Sequence, residues 1–194
     1  MVAKRLFVLF VVEKYVEEIY MEKLDLSKMH TYDIILVCGL PSSGKSYLSR
    51  NEFNINERKR INRKEIRRLI YEMTSFGEKW SEQLFASVDQ HLVKHTERKM
   101  IEHLLSAGEK ILIDNTSITV DSRKLYTTIA ARMNKTIGAI FIDADVNRCI
   151  MRNRASKDPV PENVFPKLSA GKTLPDKREG FTAVVIVPDS SLED

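Results

Sequence analysis

A chain of 194 residues with 31 lysines and arginines against 27 acidic residues is long enough for one domain with its own core, burying about two thirds of its unfolded surface. Its two cysteines, Cys38 and Cys149, exclude a disulfide framework or a zinc cluster and favour reducing surroundings, cytoplasmic or nuclear rather than secreted. The net charge of +4 is compatible with a polyanionic partner but demands none.

The chain opens on "MVAKRLFVLFVVEKYVEEIYMEKL", whose apolar run, Leu6 to Val12, meets Glu13 at once and precedes no small-residue cleavage site, so it is not read as a secretion signal. No stretch reaches the roughly 20 apolar residues that span a bilayer, and no membrane partner is expected. Val12, Val16, Ile19 and Tyr20 share one helical face, so a helix is expected near 13–24, able to pack on the core or on another subunit. Residues 1–30 are taken as an extension and 31–194 as the domain proper.

"YDIILVC" has strand character and leads into "GLPSSGKS", Gly39 to Ser46. That stretch fills the template G-x-x-x-x-G-K-[ST] without a gap, in the strand-before-helix context that the template requires. A loop of this composition turns backbone N–H groups inward around phosphate oxygens, and the helix terminus behind it adds favourable partial charge. Gly39, Leu40, Pro41, Ser42, Ser43, Gly44, Lys45, Ser46 and Tyr47 are therefore the nucleotide-binding candidates. Lys45 suits the β and γ phosphates of ATP and the Ser46 hydroxyl suits Mg²⁺.

Beyond it a helix over "KSYLSRNEF", a short strand near "RIN", and a helix from about Lys64 to Glu72 follow. "ERKRINRKEIRR", Glu57 to Arg68, concentrates positive charge there; a solvated helix face is the plain alternative. "SFGEK" interrupts, and one long helix is expected from Trp80 to about Ser106 with Leu84, Val88, Leu92, His95, Met100 and Leu104 as its core stripe. "ILID" is a buried strand ending on Asp114, which can orient Mg²⁺ or the acceptor, or simply cap a turn. "VDSRKLYTTIAARM" is read as a helix with Leu125, Ile129 and Met133 inward, "IGAIFID" as a strand, and Asp143 and Asp145 as turn residues. A short helix carries "NRCIMRNR", a proline-marked loop with a brief helix occupies 158–175, and "FTAVVIV" is the last strand. Arg152, Arg154 and Lys157 form a basic cluster over residues 146–160 that can act as a lid closing on a transferred phosphoryl group. The alternation of strands and helices predicts an α/β three-layer fold, a mostly parallel five-stranded sheet with helices on both faces, and a site at the carboxyl ends of its strands.

Over roughly residues 33–187 the chain resembles the kinase domain of the 5′-hydroxyl polynucleotide kinases and their small P-loop kinase relatives. The resemblance rests on "GLPSSGKS", "INRKEIRR", "LIDNTSITVDSRKLY", "MRNRASK", "PVPENVF" and "LPDKREGF" in that order. It implies an ATP- and Mg²⁺-dependent phosphotransferase acting on the 5′ end of DNA or RNA. It puts Arg67 at the acceptor phosphate, Asp114, Asn115 and Thr116 at the acceptor cleft, and Arg152 or Arg154 in the lid, with Arg123 as a further phosphate contact. Lys64 departs from the pattern, falling where the family's proton-accepting aspartate stands; a lysine ammonium is no general base, so either Glu65 or Asp114 takes the proton, or Lys64 helps to bind phosphate and turnover is weak. Rival readings are a kinase of a nucleoside, nucleotide or other small metabolite, and a weakly active or inactive ATP-binding nucleic-acid adaptor. The chain carries no phosphatase "DxDGT" or ligase motif, so a separate phosphatase or ligase partner is expected.

Overall fold

The computed structural model describes residues 26–53 and 58–188. The helix expected near 13–24, and any subunit contact made through it, lie outside them. Five strands, β1 (Ile34–Gly39), β2 (Lys59–Ile61), β3 (Ile111–Asp114), β4 (Ile137–Asp143) and β5 (Ala183–Pro188), make one sheet in the order β2-β3-β1-β4-β5. Every neighbouring pair is parallel, so the sheet is wholly rather than mostly so. β1 lies in the middle and is buried along its whole length, as a central strand flanked by helices on both faces must be.

The helices are α1 (Lys45–Glu52), α2 (Arg63–Thr74), α3 (Gln90–Ser106), α4 (Val120–Arg132), α5 (Val146–Arg154) and α6 (Val164–Ala170). The step from β1 out to β2 and the return from β2 to β3 run in opposite directions across the sheet. Right-handed crossovers therefore put α1 on one face and α2 with α3 on the other. α1 packs on β1 and β3, and α3 on β2 and β3.

The single helix expected from Trp80 to Ser106 is two elements. A short 3₁₀ helix, Glu82–Ser87, is separated from α3 by Val88 and Asp89, and the Asp89 carboxylate caps α3 by accepting from the N–H groups of His91 and Leu92. The inward stripe is displaced as well: Val93, Glu97, Ile101 and Leu105 are buried, while Leu92 and Met100 are each 42% exposed and His95 faces outward. A glutamate in the buried face broke the apolar period. On α4, Ile129 is buried and Leu125 and Met133 pack partly buried against the core. Asp145 caps α5, and Asp143 pairs with Lys172 at 2.6 Å.

Arg123 does not meet a substrate phosphate, because its side chain is wholly buried. Its Nε and Nη2 donate to the Glu179 carboxylate at 2.8 and 2.7 Å, and its Nη1 donates to the Thr173 carbonyl at 2.9 Å. The pair clamps the segment before β5 onto α4. Removing one partner leaves the other charge buried and unmatched, which costs about 3–5 kcal/mol. Glu179→Ala is accordingly expected to lower unfolding stability by about that amount, read as a fall in the urea midpoint with the slope unchanged.

Candidate active site

The phosphate loop turns between β1 and α1. Gly39 has φ +148°, and a Cβ there would lie 2.7 Å from the Ile142 carbonyl oxygen, so only glycine fits. Gly44, with φ 98°, forms the left-handed N-cap of α1. Ser42 also has positive φ, 57°, a conformation that costs a non-glycine residue energy and gathers at ligand-holding turns. Lys45 is buried and folded back on the loop, its Nζ donating to the carbonyls of Gly39 and Leu40 at 3.1 and 2.5 Å and to Ser43 Oγ at 3.4 Å. Burial pushes the Lys45 ammonium below the ordinary lysine range, with Asp114 opposing the shift.

At the end of β3 the Asp114 carboxylate is 1% exposed. Its Oδ2 accepts from Ser46 Oγ at 2.8 Å and from Arg60 Nη2 and Nε at 2.7 and 3.1 Å. Its Oδ1 is buried without a hydrogen-bond partner. A hydroxyl and a carboxylate in contact, with one carboxylate oxygen unsatisfied, form an oxygen donor set that fits a hard cation. Among the described residues no cluster of three or more His, Cys, Asp or Glu is grouped for a metal. Magnesium usually takes one or two carboxylates and completes its shell with waters and substrate phosphates.

Asn62 caps α2: its side chain accepts from the Glu65 N–H and donates to the Asp114 carbonyl at 2.6 Å. Asn115 Oδ1 accepts from the Arg63 N–H at 2.8 Å, and Asn115 Nδ2 donates to Glu97 Oε1 and Tyr126 Oη at 2.6 and 2.7 Å. Glu97, fully buried, also receives two bonds from the Arg63 guanidinium, at 2.8 and 2.6 Å, and one from Tyr126 Oη at 2.9 Å. Burial, reinforced by the Glu97 charge, pushes the Tyr126 phenol up.

One cavity of about 660 Å³ joins these groups. It is lined by Pro41, Ser42, Lys45, Ser46 and Asp114 from the phosphate loop and β3, and by Arg63, Lys64, Arg67, Glu82, Phe85 and Asp158. The Arg67 guanidinium lies 4.3 Å from the centroid of the Phe85 ring and 5.9 Å from that of Trp80. Burial moves it downward from the usual arginine value. Lys64 Nζ is held by Glu82 at 3.0 Å and Asp158 at 3.1 Å.

Of the residues expected at the site, the fold thus brings together Lys45, Ser46, Asp114, Asn115, Thr116 and Arg67. Glu65 does not line the cavity; it is exposed and pairs with Arg60 at 2.7 Å. Arg152 and Arg154 do not line it either, and Arg154 pairs with Glu162 through two bonds. Asn153 between them is buried, and its side chain exchanges two hydrogen bonds with the backbone of Val160, at 2.8 and 2.9 Å, which folds the lid loop onto α5. Glu82, Phe85, Glu97 and Asp158 carried no sequence signal for the site, and Arg60 only its place in a basic stretch. Each takes its place through a contact far along the chain.

A family model described as AAA domain, AAA_33, matches residues 34–175. The chain belongs to that family. A curated relative, the bifunctional polynucleotide phosphatase/kinase of Schizosaccharomyces pombe, is 27% identical over 178 residues, covering 86% of this chain and 36% of its own length. The chain thus spans little more than a third of that relative. Among solved structures, Kti12 of Chaetomium thermophilum in complex with ADP-AlF3 matches with a TM-score of 0.57 and 15% identity, over 80% of this chain and 88% of that one. A gluconokinase from Sinorhizobium meliloti 1021 matches with a TM-score of 0.52 and 14% identity, over 80% and 82%. Likeness at such identities speaks to the fold, which is of the P-loop kinase type. No helix among the described residues is long and apolar enough to cross a membrane.

Glu97 is the one acceptor for Arg63, Asn115 and Tyr126 together. Glu97→Ala is expected to destabilise the domain by about 3–5 kcal/mol and Glu97→Gln by less, both read from urea unfolding.

Proposed function

We propose that this chain is an ATP-dependent kinase that passes the γ-phosphoryl group to a hydroxyl, with the 5′-hydroxyl of a DNA or RNA strand as acceptor. The observation that carries the reading is the continuity of the cavity from the phosphate loop to a wall holding Arg67 beside the half-exposed Phe85 ring. An arginine next to an aromatic face suits a nucleotide end: the guanidinium takes a backbone phosphate, and the ring offers a stacking surface to one base. The name of the fission-yeast relative, a polynucleotide phosphatase/kinase, supports the same acceptor class.

In this reading Lys45 leaves the loop carbonyls for the β and γ phosphates, as the loop backbone wraps them. Ser46 and Asp114 would hold magnesium, which would neutralise charge on the phosphate oxygens. Arg67 grips the acceptor phosphate. A part for Arg152 or Arg154 at the transferred group requires α5 to swing toward the cavity when the nucleotide enters. Positioning does most of the work in such a reaction.

The test is incubation with γ-labelled ATP, Mg²⁺ and matched 5′-hydroxyl DNA, 5′-hydroxyl RNA and free nucleosides. Label is expected on an oligonucleotide 5′ end, abolished by EDTA and lowered about 100- to 1,000-fold by Lys45→Ala. Label on free nucleosides alone would favour a metabolite kinase, a role consistent with the gluconokinase likeness. Binding of ATP with no transfer would leave the adaptor reading. Arg67→Ala is expected to raise KM for the oligonucleotide but not for ATP, and to reduce the salt slope of oligonucleotide binding by about 1.

A further inference from the structure

A kinase of a hydroxyl needs a group to receive the hydroxyl proton, and the helix position that resembles the family's aspartate holds Lys64. Three carboxylates line the cavity: Glu82, Asp114 and Asp158. Asp114 is committed, its Oδ2 serving Ser46 and Arg60 and its Oδ1 enclosed beside the cation donors. Glu65, the neighbour on α2, is held outside by Arg60. Glu82 is nearly enclosed, with its carboxylate on Lys64.

Asp158 differs from these. Its side chain is 34% exposed, its Oδ2 lies 3.1 Å from Lys64 Nζ, and its Oδ1 accepts the Glu82 N–H at 2.9 Å. Each carboxylate oxygen can take more than one hydrogen bond, so an incoming hydroxyl still finds an acceptor there. The lysine also donates toward the Asp158 carbonyl at 3.4 Å, which fixes the residue from two directions.

On the proposed kinase activity, we infer that Asp158 is the proton acceptor: the carboxylate sits on the lid loop instead of on α2, and Lys64 is the cation that seats it. In the step, the acceptor oxygen bonds to the γ-phosphorus while the bond from that phosphorus to the β–γ bridging oxygen breaks. ADP leaves with the electron pair, and the hydroxyl proton passes to the Asp158 carboxylate and on to water. Because Asp158 follows α5 and its loop is tied down by Asn153 and Val160, the lid places the carboxylate in part by itself, and the contacts to Lys64 and Glu82 sharpen that placement. A base carried on α2 would need no lid to place it.

The experiment compares transfer to a 5′-hydroxyl oligonucleotide by the full chain and by Asp158→Asn, Glu82→Gln, Lys64→Met and the double variant Lys64→Asp with Asp158→Asn. ATP affinity, measured by calorimetry, reports folding and donor binding for each. Asp158→Asn is expected to lower kcat about 10²- to 10⁴-fold with ATP affinity kept. Lys64→Met, which frees the latch but leaves the carboxylate, is expected to fall less. The double variant, which returns a carboxylate to α2, is expected to regain part of the loss. Turnover by Asp158→Asn equal to that of the full chain overturns the assignment, as does an equal loss in Lys64→Met, which would make Asp158 a latch alone. A larger loss in Glu82→Gln overturns it in favour of Glu82. If the full chain binds ATP and labels no hydroxyl at all, the kinase reading itself falls, and this assignment with it.

Discussion

The Asp114 carboxylate, almost out of contact with solvent at the end of β3, is the charge around which the site is assembled. An ionised group so deep is tolerable only when donors are fixed on it. They arrive from two other elements: Ser46 from the first turn of α1 and Arg60 from β2. Meeting that one carboxylate therefore ties the phosphate-loop helix to the edge strand. Asn62, donating to the Asp114 carbonyl, extends the tie to the start of α2. The spacing of the phosphate loop from the start of α2 is thus set by the parallel sheet rather than by loops.

A second buried carboxylate, Glu97, does the same for the acceptor wall. It holds Arg63, Asn115 and Tyr126, so α2, β3, α3 and α4 meet at one point. The basic stretch that looked like a phosphate-binding face is mostly spent on such internal duties. Arg58 caps carbonyls below the sheet, Arg60 serves Asp114, Arg63 serves Glu97, and Lys64 pairs with Glu82 and Asp158. Arg67 lies instead on the Phe85 and Trp80 rings with one long bond to Gln90.

The lid reverses the weight that composition assigned to it. Its arginines look like the working residues, yet Arg154 is taken up by Glu162 and the buried Asn153 shapes the loop by closing on Val160. An asparagine that offers both a donor and an acceptor can satisfy both the N–H and the C=O of one residue, which a guanidinium cannot. The result is a lid loop whose Asp158 reaches across to α2.

The strands, the phosphate loop with Lys45 and Ser46, and Asp114 at a strand end were legible in the sequence, because they depend on contiguous apolar runs and on a motif whose spacing is local, whereas Arg67 was placed by the family resemblance alone. The boundary at Asp89 and the true inner face of α3 were not, since the buried Glu97 reads as polar in any periodicity. Nor could local pattern say that Glu65 would be turned out by Arg60, or that Lys64 would meet Asp158, 94 residues away. Burying an ion requires a partner of opposite charge at hydrogen-bond distance. Which partner lies at that distance is decided only when the sheet brings the strand ends together.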